Sequence, residues 1–181
     1  MKIIQIFAKD FPENKEVTFT FQSDYYYDVQ VIKKDTNKGW IFDWSLKAFP
    51  TTFTKCINEN LFEDHKENAK YYIIVNDEER EIGHLVVGKQ EWNNVTRIWD
   101  IAIDKQFHHQ GFGTKLMAFA EIKAKEWQSR ALVLECQSSN YNAIQFYLKC
   151  GFSLTGFDLI GYSNQDCRKH DIRLEMSKLL E

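Results

Sequence analysis

The most informative stretch of the sequence is His108-His109-Gln110-Gly111-Phe112-Gly113-Thr114, which follows an apolar strand pattern and opens a helical one. Glycines in such a loop let backbone N–H groups come close to a ligand, and the helix N-terminus adds a positive dipole end. The combination suits a phosphate or pyrophosphate group. Taken alone, however, a Gly-x-Gly pair more often marks a tight, closely packed turn, so the neighbouring segments carry the interpretation.

Two common nucleotide-binding loops are excluded. The chain has no Gly-x-x-x-x-Gly-Lys-Ser/Thr sequence, and Leu116 stands where a dinucleotide fingerprint needs its third glycine. A phosphate site at this loop therefore needs a different structural context.

The segments around the loop predict a sheet with helices. Apolar residues that alternate or run continuously predict strands, and apolar residues recurring every three or four positions predict helices. The predicted strands are residues 71–75, 82–87, 96–103, 131–136, 153–162 and 171–176, and the predicted helices are residues 116–127 and 142–150, the second ending at Gly151. This order predicts an α/β arrangement in three layers around a mixed sheet.

The first 70 residues are less regular. Alternation predicts strands around residues 17–21 and 29–31, the second ending before a turn at residues 37–39. A helix is predicted from the spacing of Phe53, Cys56, Ile57 and Leu61, with Thr51 and Thr52 as its caps.

Composition and charge narrow the function. The 181 residues suit one domain, and a net charge of −3 with a pI near 6.0 gives no electrostatic basis for nucleic-acid binding. No segment has the length of a membrane span or the pattern of a signal peptide. The cysteines form neither a Cys-x-x-Cys pair nor a cluster with histidine. We therefore expect a metal-free protein in the reducing cytoplasm.

Two linked segments resemble the GNAT superfamily of acetyltransferases. Ile101-Ala102-Ile103 at the end of a strand, followed by the two-glycine loop and its helix, resembles motif A of that family. Residues 134–140, then 143–147 and Gly151-Phe152, resemble motif B. The resemblance is clear over residues 99–157 and thin before residue 71. Within the family, the pattern is most similar to that of enzymes that acetylate streptothricin antibiotics, in the segments 99–102, 134–137, 146–147, 150–152 and 158–162.

The resemblance implies an α/β (α+β) GNAT fold. Its three layers hold a central mixed, largely antiparallel sheet that is splayed between the fourth and fifth strands. Residues 1–181 would form a single domain, with residues 1–70 as the variable acceptor-side region and residues 71–181 as the acetyl-CoA-binding core. Acetyl-CoA would be the co-substrate, with no metal.

The family's cofactor contacts also follow from the resemblance. Backbone groups of residues 101–103 would pair with the pantetheine arm as an added strand does, and N–H groups of residues 109–114 would hold the pyrophosphate. His108 departs from the family, which usually has Gln or Arg there, so the contact of that side chain stays open. The expected cofactor-binding residues are Ile101, Ala102, Ile103, His108, His109, Gln110, Gly111, Phe112, Gly113, Thr114, Asn140 and Tyr147.

Tyr147 matches the position of the family's general acid. A phenol is protonated at neutral pH and can give its proton to the departing thiolate of coenzyme A. The alternative is a packing role on the helix face with Ile144 and Leu148.

Two carboxylates compete for the role of general base. Glu135 interrupts an apolar strand, where a charge is costly unless it has a partner or faces a cleft. It matches the base of GNAT enzymes that acetylate ribosomal protein N-termini, and its alternative role is to accept backbone donors across the splay. A carboxyl buried in such a strand has a raised pKa, which suits a base. Asp100 is the rival, as a base or as the group that binds the substrate ammonium.

The resulting hypothesis is direct transfer of acetyl to a primary amine of a small cationic molecule, such as a streptothricin-like antibiotic. A cluster of aromatic and acidic residues suits an ammonium group, although core packing is the commoner fate of such rings; its members are Tyr25, Tyr26, Tyr27, Trp40, Asp43 and Trp44. A second hypothesis is acetylation of a protein N-terminus or lysine. A third, of another class, is a sensor module that binds acyl-CoA without turnover. We expect no nucleic-acid or membrane partner, and the oligomeric state is open, a homodimer included.

Overall fold

The computed structural model describes residues 1–34 and 38–180. Its strands are β1 (Lys2–Ile6), β2 (Glu16–Lys33), β3 (Trp40–Asn60), β4 (Ala69–Val75), β5 (Glu81–Gln90), β6 (Val95–Ile103), β7 (Ala131–Gln137), β8 (Ser153–Asp158) and β9 (Arg173–Leu179). Its α-helices are α1 (Phe112–Glu126), α2 (Tyr141–Lys149) and α3 (Asp166–Lys169), and short 3₁₀ helices cover Ala8–Asp10 and Lys105–Phe107.

Seven strands form one mixed sheet in the order β1-β4-β5-β6-β7-β9-β8, and β2 and β3 pair separately. The pairs β1–β4, β4–β5 and β5–β6 are antiparallel, whereas β6 and β7 are parallel. The predicted mixed, largely antiparallel sheet is therefore confirmed.

The chain divides into two compact units, each built from separate stretches of sequence. The first contains Met1–Phe19, Ile57–Leu134 and the residues from Ser177 onwards. The second contains Thr20–Cys56 and Glu135–Met176. That the whole chain works as one domain, with its first 70 residues serving the acceptor, stays a prediction.

The first unit is organised around β5. Every residue of β5 from Ile82 to Gly88 is buried. Helix α1 packs against β5 and β6, and an apolar cluster of Ile6, Val17 and Leu61 packs with Val86 of β5. Strand β5 is therefore buried on both faces, and its buried stretch includes one polar side chain, His84.

The second unit contains α2, whose C-terminus has the geometry of a Schellman motif. The N–H of Phe152 donates to the carbonyl of Tyr147 and the N–H of Gly151 to that of Leu148, both at 3.0 Å. Gly151 has φ +88°, a conformation that glycine adopts without steric cost. The predicted helix end at Gly151 is confirmed, and the motif fixes the last turn, which carries Tyr147.

The predicted helix through Phe53 and Leu61 is wrong, because these residues lie in or just after β3. Burial along this part of β3 alternates: Phe53, Lys55 and Ile57 are half-buried, and the residues between them are exposed. Lys55 occupies an inward position, so the apolar residues alone did not reveal the period of two. In addition, residues 17–31 lie in one continuous strand where two were predicted. The predicted turn at residues 37–39 lies partly outside the described residues.

Candidate active site

The two-glycine loop lies in the first unit, between β6 and α1. Gly111 precedes the first helical residue and has φ +81°, while an added Cβ there would meet no atom within 4 Å. The glycine is thus required by its backbone conformation and not by crowding. His109 also has a positive φ, of 60°, and residues 108–111 are exposed. The loop therefore turns sharply at the protein surface and ends at the start of a helix.

The start of α1 has the electrostatics of an anion site. The first backbone bond into the helix runs from the N–H of Lys115 to the carbonyl of Gly111, at 3.1 Å. The N–H groups of residues 112–114 precede it and have no partner within the helix. The first turn has no acidic residue and no side-chain cap. Because a helix N-terminus is normally complemented by negative charge, this end of α1 is suited to a phosphate group.

The end of β6 has one paired and one unpaired edge. Its pairing with β5 extends to Ile103, which lies opposite Gly83. Its parallel pairing with β7 runs from Val95–Ala131 to Ile98–Leu134, whereas β6 continues to Ile103. A bulge at Trp99 separates the two regions, since Ile98 pairs with Val87 and Asp100 with Val86. This end of β6 thus has backbone groups on the side facing away from β5, of which the carbonyl of Ile103 is engaged by His108.

His108 connects this strand to the loop. Its Nε2 atom lies 2.7 Å from the carbonyl oxygen of Ile103. Gln110 is held in turn by a 3.1 Å bond from its Nε2 to the carbonyl of Gln106. The predicted cofactor-binding residues of the first unit lie on one continuous backbone segment, from Ile101 to Thr114, and their contact with the cofactor stays a prediction.

Asp100 is buried beside a lysine that the sequence patterns did not single out. Its Oδ2 atom lies 2.6 Å from Nζ of Lys66, and the two side chains are 8% and 3% exposed. Lys66 also contacts Glu63 at 3.2 Å and donates to the carbonyl of Leu61. Burial raises the pKa of Asp100, and the positive charge of Lys66 opposes that rise. Burial acts to lower the pKa of Lys66, but its acidic partners outweigh burial and raise it. Asp100 is therefore engaged in a buried ion pair.

The turn after β7 is held by several hydrogen bonds within the second unit. Ser138 and Ser139 are completely buried. The hydroxyl of Ser138 donates to the carbonyl of His170, and its backbone carbonyl accepts from Tyr27, both at 3.0 Å. The hydroxyl of Ser139 donates to Asp171. This turn leads directly into α2 and orients its first residues.

Asn140 is the N-cap of α2. Its side-chain oxygen accepts a 3.3 Å bond from the N–H of Ala143. A capping role explains an asparagine at this position without any ligand. The contact of Asn140 with pantetheine stays a prediction. The side-chain oxygen makes the cap bond, so the carboxamide nitrogen is the atom that such a contact would use.

Tyr147 is buried on α2, with its ring 5.5 Å from that of Phe146 and 6.1 Å from that of Phe152. The ring is therefore packed as the alternative role predicts, and this packing also holds the phenol in a fixed position. Its role as general acid stays a prediction.

Glu135, on β7, is less buried than its apolar strand predicted, with 37% of its side chain exposed. Oε2 lies 3.0 Å from Nε of Arg173, and Oε1 accepts a 3.2 Å bond from the hydroxyl of Tyr162. A charge in this strand is tolerable if it has a partner or faces a cleft. Glu135 meets the first of these conditions. Arg173 carried no sequence signal, and Tyr162 entered only as the end of the family-like segment 158–162.

The aromatic residues predicted to form an acceptor pocket have varied surroundings. Tyr26 is buried and stacks on His170 with ring centroids 4.0 Å apart. Tyr25 and Trp40 are 45% and 59% exposed, and Trp44 packs edge-on against Phe157. Most of these rings are therefore not core residues, and their contact with an acceptor stays a prediction.

In the part of the chain that the structure describes, no three His, Cys, Asp or Glu residues are grouped as a metal site would require. No helix among residues 1–34 and 38–180 is long and apolar enough to cross a membrane.

Comparison with known proteins gives consistent results. The sequence profile of the acetyltransferase (GNAT) family matches residues 39–152, more than half of the chain. Streptothricin acetyltransferase A of Bacillus subtilis (strain 168) is 35% identical over 102 residues, which are 56% of this chain and 56% of that protein. Streptothricin acetyltransferase of Escherichia coli is 32% identical over 107 residues, 57% of this chain and 58% of that protein. The chain thus matches little more than half the length of these relatives.

Solved structures extend the likeness in fold to the whole chain. A crystal structure from Bacillus anthracis str. Ames, described as a streptothricin acetyltransferase in complex with acetyl coenzyme A, has a TM-score of 0.74 at 24% identity. The superposition covers 99% of this chain and 97% of that chain.

Proposed function

Because the chain belongs to the GNAT family of acetyltransferases, we propose that it transfers the acetyl group of acetyl-CoA to a primary amine of a small cationic molecule. The observation that carries the proposal is the continuous segment from Ile101 to Thr114. It joins an unpaired strand edge to a helix N-terminus that lacks negative charge. An extended pantetheine arm can pair with such an edge, and a pyrophosphate suits such a helix end.

The reaction needs three events at the thioester. The neutral amine attacks the carbonyl carbon, the resulting oxyanion is stabilised by a backbone N–H near Ile101, and the C–S bond breaks to release thiolate. The amine nitrogen then carries a surplus proton, which passes to a base, while the thiolate takes a proton from an acid. We assign the acid to Tyr147, whose phenol is fixed by α2, and the base to Glu135 acting through a water.

The choice of Glu135 over Asp100 rests on their different surroundings. Glu135 is partly exposed, so a water or an amine can reach it. Asp100 is buried, and its Oδ2 faces the ammonium of Lys66. Both carboxylates have a cationic neighbour, but the Asp100–Lys66 pair is buried, and breaking it by protonating Asp100 costs more free energy than weakening the partly exposed Glu135–Arg173 pair.

The relatives support a proposal for the class of acceptor. Two matching proteins carry the name streptothricin acetyltransferase, and streptothricin-type antibiotics present primary amines on a cationic scaffold. We therefore propose such a molecule as the acceptor. A peptide N-terminus or lysine is the second candidate.

The proposal is tested by measuring thiol release from acetyl-CoA with streptothricin, aminoglycosides, polyamines and short peptides as acceptors. Acceptor-dependent release identifies an acetyltransferase, and the acceptor with the highest kcat/KM identifies the class. Binding of acetyl-CoA without release for any amine would favour the sensor function instead.

The acid is tested by Tyr147→Phe, which removes the hydroxyl and keeps the ring that packs on Phe152. We expect kcat to fall by about ten-fold or more, the scale of lost general-acid catalysis, while acetyl-CoA still binds. Unchanged turnover in a folded variant would falsify the acid assignment.

A further inference from the structure

A polar cluster surrounds Glu135 in the second unit, and two of its members have no role in the mechanism above. Arg173 approaches Oε2 of Glu135 at 3.0 Å, and the hydroxyl of Tyr162 approaches Oε1 at 3.2 Å. Arg173 is held on its other side by Glu175, with Nη2 and Oε1 2.6 Å apart. Both oxygens of the proposed base are therefore held by neighbouring side chains.

The direction of these bonds is set by protonation. A guanidinium is always protonated and only donates. Partial burial, and next the negative charge of Glu135, raise the pKa of Tyr162 well above its ordinary value. The phenol therefore keeps its proton and donates to Glu135.

The loop that carries Tyr162 is built to hold it in place. Asp166 is 2% exposed, and its carboxylate accepts a 2.7 Å bond from the backbone N–H of Tyr162 and a 2.6 Å bond from the hydroxyl of Ser163. The N–H of Ile160 donates to Asp158, which ends β8. Buried carboxylates of this kind fix loops because their charge needs every available donor.

Gly161 brings this loop against Arg173. An added Cβ at Gly161 would lie 2.9 Å from Cδ and 3.0 Å from Cβ of Arg173. Real Cβ atoms do not approach so closely, so any larger residue at position 161 has to displace the arginine side chain. The same short loop thus sets the position of both donors to Glu135.

We propose that Tyr162 is a positioning residue, which together with Arg173 orients the Glu135 carboxylate towards the attacking amine. The inference rests on the proposed function, because it presupposes that Glu135 accepts the amine proton. Other charged or titratable groups near the pair are Glu175 on β9, Asp171 before it, Cys136 on β7 and Lys55 on β3, whose ammonium lies 5.4 Å from the Tyr162 ring centroid. Lys55 is itself paired with Asp171.

The test is Tyr162→Phe, which removes the donated hydrogen and keeps the ring beneath Lys55. We expect kcat/KM for the amine to fall by about ten-fold, the scale of a lost hydrogen bond to a charged group, with KM for acetyl-CoA unchanged. A residue that only supported the fold would also raise KM for acetyl-CoA or lower the Tm, so a loss confined to the amine distinguishes a positioning role from a structural one. Tyr72→Phe, on β4 against Phe119, is the matched control and should behave as wild type.

Gly161→Ala provides an independent variant that acts through Arg173. It should lower kcat/KM for the amine in the same selective way, with KM for acetyl-CoA unchanged. A loss of kcat in both variants that comes with a higher KM for acetyl-CoA or a lower Tm would reduce Tyr162 to a structural residue. If the wild type turns over and Tyr162→Phe has the same kinetic constants, the positioning role is wrong while the proposed function stands. Absence of turnover by the wild type, with acetyl-CoA bound, overturns the proposed function and this inference with it.

Discussion

At the scale of single residues, the two candidate bases show how surroundings decide the role of a carboxylate. Each interrupts an apolar strand, and each is paired with a cation. Asp100 is enclosed with Lys66, so its ion pair serves mainly to make two buried charges tolerable. Glu135 has 37% of its side chain exposed and accepts from Arg173 and Tyr162. A reactant can therefore reach the carboxylate of Glu135 more readily than that of Asp100.

This difference is testable by a double-mutant cycle on the buried pair. Lys66→Met leaves Asp100 buried without its cation, and we expect it to lower the free energy of unfolding by about 3–5 kcal/mol at neutral pH. Adding Asp100→Leu should recover most of the lost free energy of unfolding, since neither charge of the pair remains. Urea unfolding of the two single variants and the double variant measures the cycle.

The pH dependence of the Lys66→Met variant has a definite sign. Burial raises the pKa of Asp100, and Lys66 is the main group that opposes this rise, so its loss leaves the pKa higher still. An acid whose pKa is raised by folding costs stability as the pH rises above its unfolded value of about 3.9, so the deficit should shrink at acid pH. If the double variant is stable but has lost turnover, Asp100 and not Glu135 is the base.

At the scale of elements, periodicity predicted the strands and helices that have one uniform environment. The buried run of β5 and the apolar face of α1 were recognisable because packing on them is continuous along the element. Strand β3 was misread because Lys55, and not an apolar residue, occupies an inward position between Phe53 and Ile57. A lysine can bury its stem along apolar surface while its charge pairs elsewhere, here with Asp171.

The candidate site was predictable to the extent that it lies on one short segment. Residues 101–114 form a motif whose backbone function depends on local spacing, so the sequence is sufficient to locate it. The partners of Asp100 and Glu135 come from distant parts of the chain: Lys66 precedes β4, and Arg173 begins β9. Contacts at such separations depend on strand order and register, which a single sequence does not specify.

Helix α2 provides a prediction at this scale, because Asn140 combines a cap with a predicted ligand contact. Asn140→Ala removes the acceptor for Ala143 and should cost about 1 kcal/mol of stability. Asn140→Asp keeps an acceptor at the N-cap but lacks the amide donor. We therefore expect the aspartate variant to unfold like wild type and to have a higher KM for acetyl-CoA. An aspartate variant with unchanged KM would show that Asn140 serves only the helix.

At the scale of the whole molecule, the candidate residues are divided between the two units. The proposed phosphate loop belongs to the first, and Glu135, Asn140 and Tyr147 belong to the second. The protein carries a net charge of −3, and acetyl-CoA is itself an anion. Cofactor binding must therefore depend on local backbone donors and the dipole of α1, since the overall charge does not favour it.

Acetyl-CoA should consequently stabilise the protein through this one helix end. A ligand at 100 times its Kd adds about 2.7 kcal/mol to the free energy of unfolding, which corresponds to a Tm increase of about 5–10 °C for a chain of this size.

Gly111→Asp and Gly111→Asn form a matched pair of variants to test this site, because both residues tolerate a positive φ and there is space for a side chain at position 111. The aspartate places a negative charge where the pyrophosphate should bind, whereas the asparagine has the same shape without the charge. We expect acetyl-CoA to raise the Tm of the wild type by this amount and that of the asparagine variant by less. The Tm of the aspartate variant should not rise. Equal shifts in the two variants would mean that the phosphates bind elsewhere, and the role of the Gly111 loop would have to be abandoned.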